Sequence, residues 1–132
     1  KVGLTANSFT SVSLDPPLAL ICVDLKSSSL PSLDAAGVFA VNVLHAEHQE
    51  LARNFVRKDI DRFAGIETET WRTGAPILPG CMANFECETH HVFDAGDHRV
   101  YVGRVVKLRY DPDHEPLVYL QGRFRRVHVD AE

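Results

Sequence analysis

Apolar positions along the chain come in short runs divided by turn-forming residues, and the runs repeat with a period of two more often than with a helical period. Lys1-Val2-Gly3-Leu4-Thr5-Ala6 reads as a strand already in progress, so sequence upstream of Lys1 is expected. Residues 2–10 and 18–24 are two apolar segments separated by Ser13-Leu14-Asp15-Pro16-Pro17. Pro16 and Pro17 cannot donate ladder hydrogen bonds, which makes that connection a turn or an edge entry. Leu18-Ala19-Leu20-Ile21-Cys22-Val23 is apolar on both faces, as in a strand buried from two sides. After the polar loop Lys26-Ser27-Ser28-Ser29, Pro31 suits a first helical turn and Gly37 a helix end, predicting a helix over 30–36. A strand over 38–44 follows, with Asn42 its single polar residue.

Leu51 and Phe55 stand at i, i+4 beside Ala52 and Val56, which predicts an amphipathic helix over 48–56. Residues 57–65 keep Ile60 and Phe63 and read as a short helix or turn ended by Gly65. Residues 67–80 have no period and read as an excursion anchored by Trp71. The clearest strand signal lies at 81–93, where Cys81, Ala83, Phe85 and Cys87 alternate with Asn84, Glu86, Glu88 and His90. Val100, Val102, Val106, Leu108 and Tyr110 mark one face of a second strand, and Asp94-Ala95-Gly96-Asp97 supplies the hairpin turn. A turn at 111–116 leads to a last strand near 117–120, and residues 127–132 are expected to trail along the surface. Six or so strands, two short helices and no βαβ alternation predict a mainly β fold, a closed or nearly closed barrel.

Composition narrows the functional classes. The 132 residues suit one domain, 1–132, with 45% hydrophobic and 24% charged residues. The formal charge of −4 leaves no basic stripe, so nucleic acid is not an expected partner. No apolar run approaches the ~20 residues of a membrane-spanning helix, so no membrane is expected either. Three cysteines, an odd number, point to free thiols and a cytoplasmic setting. Rossmann, P-loop and nucleophile-elbow signatures are absent. His45 and His48 can approach on one helical face but lack a nearby third ligand, so no metal is expected.

Two stretches carry candidate chemistry. Residues 5–13 form a strand end crowded with hydroxyls and an amide, and Lys26-Ser27-Ser28-Ser29 follows a buried strand. Hydroxyls and backbone N–H groups so placed are the usual neutral holders of a phosphate, although turn and capping serines give the same pattern.

Five stretches, taken in order, resemble the flavin reductase-like family. They are Thr5-Ala6-Asn7-Ser8-Phe9-Thr10-Ser11-Val12-Ser13-Leu14-Asp15-Pro16-Pro17-Leu18, Phe39-Ala40-Val41-Asn42-Val43-Leu44, Arg62-Phe63-Ala64-Gly65, Asp94-Ala95-Gly96-Asp97-His98 and Gly122-Arg123-Phe124-Arg125. The resemblance implies an FMN-binding split β-barrel whose N-terminal helix and first strand are missing here. It also implies a homodimer that reduces free FMN or FAD with NADH or NADPH and supplies it to a partner oxygenase. By the same resemblance Val2, Gly3, Leu4, Thr5, Asn7 and Ser8 line the flavin, Cys22, Val23 and Asp24 make the next contact, and Ser28 and Ser29 meet its phosphate. Relatives often carry a basic residue near Ser28, where this chain has only Lys26 close by. Asn54 and Phe55 match a further flavin-contacting pair; ordinary core packing and a helix cap are the alternative. His98 falls on the histidine that orders the nicotinamide, and Tyr119, Leu120, Gln121 and Gly122 on the other nicotinamide contact; Arg123 and Arg125 are candidates for its phosphates, with a solvated basic strand end as the alternative. A flavoprotein that retains its flavin and passes electrons to another protein, and a non-catalytic flavin- or haem-binding module, are the alternatives. Asn42 is read as a satisfied buried amide.

Overall fold

The computed structural model describes residues 1–128, so positions 129–132 of the expected surface tail lie outside the described residues. The elements run β1 (Phe9–Leu14), β2 (Pro17–Asp24), α1 (Leu30–Ala36), β3 (Val38–Val43), α2 (Gln49–Asn54), β4 (Ala83–Ala95), β5 (His98–Tyr110), β6 (Val118–Leu120) and β7 (Arg123–Arg125). The fold is mainly β, as the alternation predicts. Five strands form an antiparallel sheet in the order β1-β2-β5-β4-β3, and β6 and β7 form a separate hairpin. Among the described residues β1 and β3 remain unpaired edges, so hydrogen bonding does not close the barrel. The sheet nevertheless curls far enough to bring the Phe9 ring of β1 within 5.3 Å of the Phe85 ring of β4, across two intervening strands.

Bulges aid that curl: the β4–β5 register shifts between Glu86 and Cys87 and again between Thr89 and His91. Inside the curve Val23, Leu30, Phe39, Cys87 and Tyr101 form the core, with Leu4, Ile21, Leu33, Val41, Phe85 and Val105 packed against them. Gly103 makes this packing possible, because a Cβ there would sit 2.5 Å from the Phe39 ring. Helix α1 starts with Pro31 in its first turn and ends at Gly37 in the left-handed region (φ 66°), as read from sequence. It is tied to β5 by the fully buried Tyr101, whose hydroxyl donates to Asp34 Oδ1 at 2.6 Å. Arg99 joins the same Asp34 to Asp94 on β4.

Five expectations need correction. Residues 1–8 are an irregular strap rather than a strand, because no neighbouring strand offers them a ladder; the strand begins at Phe9. The hairpin strands run on to Ala95 and from His98, leaving only Gly96 (φ 59°) and Asp97 as the turn. A further strand, β7, pairs with β6 across Gln121 and Gly122. Asn84 and Glu86 are fully buried although their alternation predicts solvent, because the 67–80 excursion covers that face. Trp71 lies under the Lys107 and Arg109 cations, 4.7 and 5.3 Å from its ring. Leu108 and Tyr110, read as apolar-face residues, are 57% and 60% exposed.

Candidate functional site

The strap of residues 1–8 crosses α2 and the turns that follow it. Thr5 N–H donates to the Phe55 carbonyl at 3.3 Å and its hydroxyl to the Ala52 carbonyl at 2.7 Å. Gly3 lies so close to the buried Phe55 that a Cβ would come within 2.7 Å of its ring. Ser8 is coupled to Cys22 on β2: its hydroxyl donates to the Cys22 carbonyl at 2.6 Å, and Cys22 N–H returns a bond to the Ser8 carbonyl at 3.2 Å. Gly3, Thr5 and Phe55 are thereby brought together, as are Ser8 and Cys22. The hydroxyls of Thr5 and Ser8 already donate within the chain, so they are not the open donors the sequence advertises. The open donors include main-chain ones. Leu4, Ala6 and Asn7 have N–H groups without a partner among the described residues. Leu4 also packs its side chain on the core, while Val2 and Asn7 are exposed.

Val23 is a core residue, and Asp24, at the end of β2, pairs in register with His98. Asp24 Oδ1 accepts from Lys26 N–H at 2.8 Å, and Leu25 N–H donates to the Asp97 carbonyl at 2.9 Å. These bonds fasten the 24–29 loop to the hairpin tip. Ser28 is exposed; Ser29 is buried at the start of α1 and makes no side-chain capping bond. His98 is half-buried, and its Nδ1–H donates to Asp97 Oδ1 at 2.7 Å, which directs Nε2 away from that carboxylate. Asp97 is held below the usual carboxylate range by this His98 hydrogen bond and charge. Sequence reasoning gives Asp97 a turn role only, although its adjacency to His98 is the available signal.

The remaining residues lie elsewhere. Asn54 is half-buried and helix α2 is closed by Phe55. Tyr119 and Leu120 are exposed residues at the end of β6, and Gln121 and Gly122, both at positive φ (54° and 77°), form the β6–β7 turn. That hairpin hangs from Leu44 through Leu117 N–H, just past Val43, which pairs with Ala83 at the base of β4. His98 pairs with Ala95 at the other end of β4. The base of the short hairpin therefore lies at the Ala83 end of β4, and His98 at the Ala95 end.

Two surface hollows, of about 360 and 250 Å³, are lined by Pro17, Arg72, Glu88, Arg104, Val105 and Val106 and by residues around His45 and His114. Neither includes a sequence-predicted site residue. His45 and His48 precede α2 rather than riding on it, and they stack with ring centroids 3.6 Å apart, with His114 4.5 Å beyond His45. Their Nδ1 atoms accept backbone N–H groups of Glu47 and His45 at 3.1 and 3.3 Å, so the lone pairs a metal would need are occupied. No group of three or more His, Cys, Asp or Glu among the described residues is arranged to hold a metal. Asn42 is satisfied: its Oδ1 accepts from Asn84 Nδ2 and Leu78 N–H, and its Nδ2 donates to the Pro76 carbonyl.

Residues 1–128 match the family described as the flavin reductase like domain. The chain is 43% identical over 122 residues to the actinorhodin polyketide dimerase of Streptomyces coelicolor, covering 92% of this chain and 69% of that protein. It is 38% identical over 129 residues to the flavin-dependent monooxygenase reductase subunit HsaB of Rhodococcus jostii, covering 98% and 66%. The chain thus spans about two thirds of the length of these curated relatives. Among solved structures, the NADH:FAD oxidoreductase SgcE6 of Streptomyces globisporus, in complex with NAD and FAD fragments, is similar at a TM-score of 0.92 and 39% identity, covering 99% of this chain and 84% of that one. No helix among the described residues is long and apolar enough to cross a membrane.

Proposed function

The chain belongs to the flavin reductase like domain family, and on that premise we propose that it is an NAD(P)H:flavin oxidoreductase supplying reduced FMN or FAD to a partner oxygenase. The observation that carries the reading is likeness over 99% of the chain to a flavin oxidoreductase solved with fragments of both redox partners. The described residues fit a flavin. An isoalloxazine needs an apolar slot with fixed donors and acceptors along its edge. The strap offers main-chain N–H groups of Leu4, Ala6 and Asn7, and its Gly3 packs on the buried Phe55 ring. We assign Val2, Gly3, Leu4, Thr5, Asn7, Ser8, Cys22, Val23 and Asp24 to the ring and its edge, Ser28 and Ser29 to the phosphate, and Asn54 and Phe55 to the far wall.

When both are bound, the reduced nicotinamide supplies a hydride that the flavin accepts. No side chain need be ionised for that step, so the chain acts by orientation and by excluding water, an effect worth several kcal/mol. His98 orders the nicotinamide: Asp97 holds Nδ1–H, leaving Nε2 to accept a hydrogen bond. Tyr119, Leu120, Gln121 and Gly122 form the second nicotinamide contact. A homodimer is supported by the separation of their hairpin's base from His98 along one chain, since a site using both needs a second copy. It is also supported by exposed apolar residues such as Phe93 (43%), Tyr110 (60%) and Leu14 (96%). Residues 1–132 act as one domain, and the three free thiols support a reducing, cytoplasmic setting.

The test is an anaerobic assay of NADH and NADPH against FMN, FAD and riboflavin. Loss of reduced-nicotinamide absorbance only when flavin is added supports the reductase. A protein purified yellow that turns over no added flavin supports a carrier, and no loss at all leaves only a binding module. His98→Ala should raise KM for the nicotinamide more than it weakens flavin binding; an unchanged KM removes His98 from the site.

A further inference from the structure

Arg62-Phe63-Ala64-Gly65 carries part of the family resemblance but has been given no role, and the geometry points to one. Residues 57–66 fold as successive turns: Arg57 N–H to the Asn54 carbonyl at 3.3 Å, Ala64 N–H to Asp61 at 3.1 Å, and Ile66 N–H to Phe63 at 3.0 Å. Gly65 sits at φ +72° at the end of this run, where a side chain would be strained. The Asp61 carboxylate accepts from Phe63 N–H at 3.1 Å and sets the turn that presents Arg62. The Arg62 guanidinium then donates in two directions, through Nε to the Arg57 carbonyl at 2.8 Å and through a terminal nitrogen to the Gly3 carbonyl at 2.6 Å. Phe63 stands edge-on to Phe55, centroids 5.0 Å apart, and Gly3 rests on the pair: a Cβ there would lie 2.7 Å from Phe55 and 3.1 Å from Phe63. The Lys1 ammonium lies 5.7 Å from the Phe63 centroid.

We infer that Arg62 is a positioning residue for flavin binding, a clamp that holds the strap by the Gly3 carbonyl while the Phe55–Phe63 pair holds its α-carbon. The inference rests on the flavin reading above. Among the described residues, Thr5 supplies the only other hydrogen bonds from the strap to α2 and its end. Without Arg62, residues 2–4 keep no polar anchor between the Lys1–Thr68 and Thr5 bonds, so more of their ordering falls to the flavin, and that cost lowers affinity. A guanidinium suits the task because its planar fork reaches two carbonyls at once, which a single ammonium cannot do with the same geometry.

The experiment compares the full chain with Arg62→Met, Arg62→Lys and Gly3→Ala. It measures flavin Kd by fluorescence, KM for flavin and nicotinamide, kcat, and amide exchange at Thr5 and Tyr101. Loss of a hydrogen bond from a charged donor predicts a rise of about 10-fold in flavin Kd and KM for Arg62→Met. The kcat and nicotinamide KM should stay within about 2-fold, Thr5 exchange should speed up, and Tyr101 exchange should not change. Arg62→Lys should recover part of the affinity. Gly3→Ala, which pushes the strap off Phe55 from its other side, should weaken flavin in the same way. An Arg62→Met protein with unaltered flavin Kd overturns the clamp. If Arg62→Met also frees Tyr101, Arg62→Lys decides: weakened flavin affinity with a protected core upholds the clamp, and parent-like affinity overturns it. A parent protein that binds no flavin defeats the functional reading instead.

Discussion

Removing the charge from Glu86 should cost more stability than its place in an alternating strand implies. Its side chain is fully buried, and its carboxylate accepts from Arg72 N–H at 3.0 and 3.2 Å, Thr73 N–H at 2.8 Å and the Thr73 hydroxyl at 2.8 Å. Burial alone would push this carboxyl up. The Thr73 donors, Arg72 N–H and the Lys107 charge outweigh it and hold the group below the ordinary glutamate range. Glu86→Gln keeps the shape but turns one acceptor oxygen into an amide donor facing donors. Hydrogen bonds to a charged group contribute about 1.5–3 kcal/mol each, and the excursion can open to water and recover part of that. A net loss of about 3 kcal/mol follows, or about 10 °C in Tm for a domain of this length. The sign with pH is fixed by the lowered folded pKa: the contribution is complete above the unfolded glutamate value and is lost as pH falls through the folded one. Thermal unfolding of parent and variant at pH 7 and at pH 4 should therefore show a gap that narrows in acid. A Tm within 2 °C of the parent at pH 7, or a gap that persists unchanged in acid, would refute the reasoning.

Two further outcomes follow from other titratable groups. Desolvation and the mutual proximity of the imidazoles lower the pKa of His45, through His114, and of His48, through His45 and then His114. The fold thus favours neutral rings, so this contribution is present above the ordinary imidazole value and declines as pH drops below it, where the unfolded chain binds protons more readily. NMR titration should give midpoints below 6.5 for both rings, with amide protection factors at Ala46 and Ala52 falling in acid; midpoints at or above 6.5 would remove the stack as a stabilising device. Burial pushes the Cys81 and Cys87 thiols up to about 11, with the Glu86 charge adding to the effect on Cys87. Half-buried Cys22 should therefore be the thiol alkylated first in the native protein at pH 8, with all three modified in denaturant. Equal native rates by mass spectrometry would contradict the burial.

What the sequence makes legible here is whatever a residue's near neighbours decide. Helix α1 is announced by Pro31 and Gly37 because the start and stop of a helix are local backbone problems. Strand β2 is announced by its apolar run, although only its Ala19–Val23 face is buried and the Leu18–Leu20–Cys22 face is half covered, and Asn42 by being the lone amide in a hydrophobic strand. What stays hidden is decided at a distance. Val2, Leu4 and Thr5 have strand composition, yet a strand exists only beside another, and residues 1–8 lie instead against a helix end and a turn. Glu86 alternates like a solvent residue until a loop 13 positions away in the chain supplies its donors. The candidate site shows the same division. Counting hydroxyls drew attention to residues 5–13, but the Thr5 and Ser8 hydroxyls point into the protein, and the donors left open include main-chain N–H groups that no side-chain pattern reports. Arg62 was visible only as part of a resemblance, because its role depends on a carbonyl 59 positions earlier. A residue that acts by holding another in place leaves no local signature. For that reason the strap, rather than the catalogue of polar side chains, is where substitutions should separate flavin affinity from fold.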